Sequence, residues 1–322
     1  VSTKIEWTDE SWNPITGCTK VSPGCDHCYA ETLYNRFNGP GAFDTVTLHP
    51  DRLTKPLSWR KLRKVFVNSM SDLFHKDVPD EYILDAWKVM ARTPQHTYQI
   101  LTKRHARMRA FVRRLAFAGP TREERAAGIA GRVPYLFASG DENQRMGAVH
   151  PLANVWLGVS VEDQQRADLR IPALLDTPAA VRFLSCEPLL GPVDLTSIRA
   201  VDWVICGGES GPGARPMHPE WARALRDQCQ QAGVPFHFKQ WGQFQPQFVQ
   251  RYSELLAFSD PSRGCVIEPD ARISAAWTMS GRDLRDDGVT PRGVPMLNVG
   301  KGRAGRVLDG RTWDEFPRGG AA

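Results

Sequence analysis

From Val65 onward the chain repeats one unit, a short apolar run followed by a longer amphipathic one. The apolar runs are Val65–Met70, Thr97–Thr102, Val155–Ser160, Val181–Ser185, Val201–Cys206 and Phe236–Gln240. The amphipathic runs are Asp80–Arg92, Ala106–Phe117, a stretch through Leu175, and Pro219–Ala232. Short apolar strands alternating with helices of 3.6-residue periodicity imply a parallel sheet built from βα units. The fold class predicted is therefore α/β, a partial parallel (β/α) barrel over residues 1–242. A short segment, Lys4–Trp12, comes first, and Thr45–Leu48 offers one more short strand. Residues 118–153 break the alternation and read as an insertion with room for a short hairpin. Beyond Gly242 the sequence is rich in Gly, Pro and Arg, so 243–322 reads as an irregular C-terminal extension packed on the barrel, not a second domain.

The strand ends say more than the strands. Each apolar run finishes in polar residues: Ser69, Ser71 and Asp72; Thr102, Lys103 and Arg104; Ser160, Glu162 and Asp163; Ser185, Cys186 and Glu187; Gly207, Gly208 and Glu209; Lys239 and Gln240. In a parallel barrel the C-terminal strand ends converge on one mouth, where ligands bind. Taken singly, each of these residues suits a cap or a turn. Six such ends in the same relative place read as a site. Gly207 and Gly208 would let the backbone approach a ligand closely, with Glu209 directed into the mouth.

Three of the seven cysteines, Cys18, Cys25 and Cys28, fall within eleven residues of a turn-rich loop, 17–31. The loop runs into a helix predicted over Asp26–Phe37 and ended by Gly39-Pro40-Gly41. With Cys18 folded back beside a CxxC pair at a helix start, these thiols are expected to ionise easily, because amides and the helix dipole stabilise thiolates. A closed structural zinc site and an ordinary four-cysteine cluster each need four ligands. Three thiolates instead leave one iron of a [4Fe–4S] cluster open to a small molecule. Zinc completed by His27 or a distant ligand is the alternative, although His27, between two cysteines, would point away from a metal they share.

The loop resembles that of the radical S-adenosylmethionine (radical SAM) enzymes, whose usual motif is CxxxCxΦC. Here six residues separate Cys18 from Cys25, and His27 stands at Φ. More closely, GCTKVSPGCDHCYAE (17–31), FLSCEPLLGPV (183–193) and GGESGPGARPMHPEW (207–221) resemble a bacteriophage-protein family widespread in bacteria. The resemblance implies a barrel of radical SAM type with the cluster on Cys18, Cys25 and Cys28. The open iron would be chelated by SAM, which an electron cleaves to methionine and a 5′-deoxyadenosyl radical. It also implies an electron donor such as flavodoxin or ferredoxin. His27 would pack near the adenine, Ser71 and Asp72 would meet the SAM amino group, Lys103 the methionine carboxylate, and Ser160 and Glu162 the ribose. Cys186 with Glu187, and Glu209, are the candidate catalytic groups, Cys186 as a hydrogen-atom donor.

The net charge is +5, compatible with a polyanionic partner. A basic helix carries Arg104, Arg107, Arg109, Arg113 and Arg114, while Trp241, Phe244 and Trp277 offer stacking surfaces. The layout also resembles the spore photoproduct lyase branch, and together these make a nucleobase in DNA or RNA the expected substrate. The rival reading is a non-catalytic zinc module that binds nucleic acid. No signal peptide, lipidation motif or long apolar span is evident, and Cys186, Cys206, Cys229 and Cys265 are scattered unlike a disulfide framework. A cytoplasmic protein without a membrane partner is the expectation.

Overall fold

The computed structural model describes residues 5–117, 151–195, 198–246, 264–267, 270, 273–275 and 294–317. In chain order it begins with β1 (Glu10–Trp12), β2 (Ile15–Thr16), α1 (Tyr29–Asn38), β3 (Thr47–Leu48) and α2 (Pro50–Leu53). The alternating part follows as β4 (Lys64–Val67), α3 (Asp80–Arg92), β5 (Thr97–Thr102), α4 (His105–Phe117), β6 (Val155–Ser160) and α5 (Gln164–Leu175). It continues through β7 (Val181–Cys186), β8 (Trp203–Gly207), α6 (Pro219–Ala232) and β9 (Phe236–Gln240). Last come β10 (Phe244–Pro246), β11 (Gly264–Ile267), β12 (Ile273–Ala275), β13 (Val294–Asn298) and the single turn α7 (Lys301–Ala304).

Seven strands form one parallel sheet in the order β1-β4-β5-β6-β7-β8-β9, curled into a half-barrel. Strand order follows chain order because right-handed crossovers place each new strand beside the last. Side chains alternate between the faces with period two. Val65, Val67, Tyr98, Ile100, Leu157, Val159, Leu184, Val204 and Phe238 pack outward under the helices. Phe66, Trp156, Phe183, Trp203 and Ile205 point into the concave face, joined there by Trp7 and Phe316. The rings interlock: Trp7 meets Phe66 edge-on at 4.8 Å, and Trp203 stacks on Phe316 at 5.0 Å. The lower half of the barrel is thus filled with aromatic rings, and polar groups are left to the upper rim.

Strand β1 lies outside the predicted set. Its sequence, Glu-Ser-Trp, has no apolar run, and only pairing with β4 makes it a strand. β4 in turn stops at Val67 and not at Met70, since Asn68 takes a left-handed conformation (φ 61°) and donates its N–H to the Trp12 carbonyl. The C-terminal part corrects the expectation of irregularity: β10, β13, β11 and β12 form a four-stranded antiparallel sheet. The tail then crosses the barrel. Trp203 Nε1 donates to the Glu315 carbonyl, and the Phe236 N–H to the Glu315 carboxylate. The insertion expected at 118–153 lies almost wholly outside the described residues, as does Trp277. Among the described residues no helix is long and apolar enough to cross a membrane.

Under this tail His237 is buried against Trp203 and Phe316. Burial lowers its pKa from 6.5 to about 4, and Asp314, 4.0 Å away, only partly offsets the shift. The unfolded chain therefore binds a proton at a higher pH than the folded one. Stability is unaffected by this group above pH 6.5 and falls as the pH drops from about 6.5 to about 4, by roughly 3 kcal/mol. Urea unfolding of wild type and His237→Phe across that window should show a shallower pH dependence in the variant. Parallel curves would rule out this assignment.

Candidate active site at the mouth of the half-barrel

The cysteine loop is fixed at its start by backbone contacts. Gly17 donates its N–H to the Met70 carbonyl at 3.1 Å, and Cys18 donates to the Phe43 carbonyl at 2.8 Å. Gly17 has φ 88°, and a Cβ there would stand 2.0 Å from the Thr45 carbonyl oxygen, so no other residue fits. Pro23–Cys25 makes a single 3₁₀ turn, and the helix expected from Asp26 begins at Tyr29, with Cys28 as its N-cap. Cys25 and Cys28 therefore do not share a helical turn. All three thiols are free and half-buried. Easy ionisation does not hold for Cys18: burial raises its pKa to about 11, Asp72 adds to the rise, and Arg104 opposes it.

Three strand-end acids fasten this loop to the barrel. Asp72 accepts from Thr102 Oγ1 (2.7 and 2.9 Å), the Lys103 N–H (3.0 Å) and the Phe74 N–H (2.9 Å). Arg104 joins it at 3.5 Å while donating to Cys18 Sγ at 3.5 Å and to the Thr19 carbonyl at 3.0 Å. Glu162, fully buried, accepts from Ser22 Oγ at 2.6 Å and from Arg170 at 2.7 Å. Gly24 packs directly on it, where a Cβ would stand 2.5 Å from Oε1. Glu209 holds Arg215 through both oxygens (2.7 and 2.9 Å), and Arg215 reaches on to the Pro23 carbonyl (2.8 Å) and Asp26 (3.3 Å). Each fastening is a charge-assisted bond, the stronger class of hydrogen bond. Of these three arginines, only Arg104 is among the sequence candidates, as a strand-end residue and as part of the basic helix. Arg215 stands inside the 207–221 motif, yet nothing local in the sequence pairs it with Glu209 and Pro23.

The remaining candidates divide. Lys103 Nζ donates to Ser160 Oγ at 3.1 Å and lies 3.8 Å from Glu162. Glu187 pairs with Lys239 at 2.8 Å and accepts from Ser185 Oγ at 3.2 Å. Ser71 gives its hydroxyl hydrogen to the Ile15 carbonyl at 3.0 Å. His27 is exposed, its ring lying over Gly213. Cys186 faces the other way: strand alternation turns Ser185 inward and Cys186 into the helix-side core, opposite Cys206. Burial pushes its thiol well above the ordinary range, so it is not one of the groups of the mouth.

The arginines of the basic helix have acidic neighbours. Arg107 and Arg114 pair with Asp80, Arg109 and Arg113 with Asp176, and Arg104 with Asp72. Within α4 four arginines thus share two carboxylates. Trp241 is buried and donates to the Val307 carbonyl, so it offers no stacking surface.

Three free thiols in one loop, with no carboxylate between them in sequence except Asp26, form a donor set suited to a thiophilic metal group. Among the described residues no three His, Cys, Asp or Glu side chains already converge as ligands of one ion. Ligation at Cys18 would release a proton, as thiol ligands do. No curated protein and no solved structure matches the chain. A family model described as a protein of unknown function (DUF5131) matches residues 2–317, and the chain belongs to that family.

Proposed function

We propose that the protein is a radical SAM enzyme, with Cys18, Cys25 and Cys28 holding a [4Fe–4S] cluster at the mouth of a half-barrel of that type. The observation that carries this reading is the fastening of a three-thiol loop, through Asp72, Glu162 and Glu209, to the C-terminal edge of a parallel sheet. When bound, the cluster would supply one electron for reductive cleavage of SAM, and so for hydrogen abstraction from a substrate. The chain's own residues position and exclude. Arg104 sets a positive charge against Cys18, and the aromatic filling below the rim keeps water out from beneath. Lys103 and Ser160 are the groups for the SAM carboxylate and ribose; Asp72 is already taken up at both oxygens by Thr102, the Phe74 and Lys103 N–H groups and Arg104.

The test is anaerobic reconstitution with iron and sulfide, then dithionite and SAM, with 5′-deoxyadenosine as the readout. Formation of 5′-deoxyadenosine, lost in Cys18→Ala, Cys25→Ala and Cys28→Ala, is the expected result. A colourless protein with one tightly held zinc and no 5′-deoxyadenosine would sink the proposal in favour of the zinc module.

A further inference from the structure

Among the strand-end acids, Glu187 stands apart. Asp72, Glu162 and Glu209 are each bonded into the fastening of the cysteine loop, whereas Glu187 makes its ion pair with Lys239 and its hydrogen bond with Ser185, both of the barrel, and reaches the loop only through the field it exerts on Tyr29. Glu187 follows β7 and Lys239 is on β9, so the pair must reach across β8. Two backbone features allow it. A Cβ on Gly207 would stand 2.7 Å from Glu187 Oε1, so with glycine there the carboxylate lies directly over the β8 backbone, a pose that any larger residue would shift. The pairing of β8 with β9 slips by one residue between Cys206 and Gly207, leaving Lys239 without a partner on β8. Such slips re-aim a side chain and recur beside functional sites. An ordinary surface ion pair needs neither device. The two side chains are 13% and 18% exposed, at the rim, above the concave-face residues Phe183, Trp203 and Ile205. Phe183 itself lies flat against Gly158, where any Cβ would meet its ring at 2.5 Å.

We propose that Glu187 and Lys239 form the substrate-recognition subsite of this mouth, and that they read the edge of a cyclic amide. The amide N–H is donated to Glu187 and its C=O accepts from Lys239. This deepens the radical SAM reading and rests on it for the claim that the ligand is the substrate. Amide nitrogen and oxygen are about 2.3 Å apart, given bonds of roughly 1.33 and 1.23 Å. In a ring the N–H and C=O point the same way, so they meet a donor and an acceptor that are 2.8 Å apart without separating the ion pair. A trans peptide presents the two groups in opposite directions and meets only one of them. A free amino acid would have to split the pair. A flat ring also suits the aromatic surface below. Pyrimidinediones and guanine-type bases carry this edge.

The probes are uridine and N3-methyluridine, which lacks the N–H, titrated calorimetrically into the full chain. Saturable uridine binding is expected, weakened by about 10- to 100-fold on N3-methylation, and similarly in Glu187→Ala and Lys239→Met. The methylated probe alters no residue, so that comparison does not depend on the variants folding. Equal affinity for the two nucleosides, no saturable uridine binding, or affinity unmoved in both variants would overturn the proposal. Formation of 5′-deoxyadenosine by reconstituted wild type is scored separately. If it forms and uridine does not bind, the amide-edge assignment falls and the radical reading stands. If uridine binds through its N–H and no 5′-deoxyadenosine forms, the radical reading falls and the subsite stands.

Discussion

Replacing Glu162 by alanine is expected to cost the fold about 3–5 kcal/mol, because it leaves Arg170 as a buried charge without its partner. Glu162 is fully buried and Arg170 is 4% exposed, so water cannot take over the lost contact without local opening. At roughly 2–4 °C per kcal/mol for a chain somewhat smaller than this one, the midpoint should fall by about 10 °C. The loss should be felt at the mouth as well. Ser22 loses its 2.6 Å acceptor and Gly24 the surface it packs on, so the segment carrying Cys25 is freed. Alkylation of Cys25 by iodoacetamide, followed by peptide mass spectrometry, should therefore accelerate in the variant. Glu162→Gln keeps an acceptor for Ser22 without the charge and should fall between the two. The exposed pair Arg113–Asp176 gives the scale: Arg113→Ala should move stability by less than about 1 kcal/mol. An unchanged midpoint and unchanged Cys25 alkylation in Glu162→Ala would show that the carboxylate does not anchor the loop.

Gly17→Ala is expected to displace the start of the cysteine loop. Two separate penalties act there. A non-glycine residue held at positive φ costs about 1–3 kcal/mol, and crowding a packed site typically costs about 1–3 kcal/mol more. The crowding is against backbone, since the new Cβ would stand 2.0 Å from the Thr45 oxygen and 2.7 Å from its carbon, and neither can rotate away. Gly39 provides the contrast. Its φ is 95°, yet a Cβ there meets nothing within 4 Å. Gly39→Ala should therefore show the conformational penalty alone, and the difference between the variants in urea unfolding isolates the clash. Only Gly17→Ala should expose Cys18 to faster alkylation. Equal effects of the two substitutions would mean that β2 and β3 can part at little cost.

Much of the barrel is legible before any coordinates. Asp80–Arg92, Thr97–Thr102, Val155–Ser160, Pro219–Ala232 and Phe236–Gln240 have the same limits in sequence and structure. Their periodicity is local, and local patterns survive without knowledge of partners. The misses occur where a partner decides. Glu10–Trp12 is a strand because β4 lies beside it, and Tyr29 begins α1 because the preceding residues close a 3₁₀ turn under Glu162 and Arg215. The cysteine trio is visible as spacing, while the raised pKa of Cys18 comes from burial beside Asp72, a residue 54 positions away.

The same division runs through the site. The sequence alone determines that apolar strands end in polar residues, and that those ends share one edge once the sheet is parallel, because side chains alternate with period two and every strand of a parallel sheet runs the same way. It does not determine which acid does what. Asp72, Glu162, Glu187 and Glu209 are equivalent in pattern, each a carboxylate just past an apolar run. Tertiary structure separates them by supplying partners: Arg104, Ser22 and Arg215 tie Asp72, Glu162 and Glu209 to the cysteine loop, and Lys239, re-aimed by a slipped register across Gly207, takes the fourth. It separates Ser185 from Cys186 in the same way, one residue facing the mouth and the next the helices. Charge pairing acts over a few ångströms through space, and the sequence measures distance only along the chain.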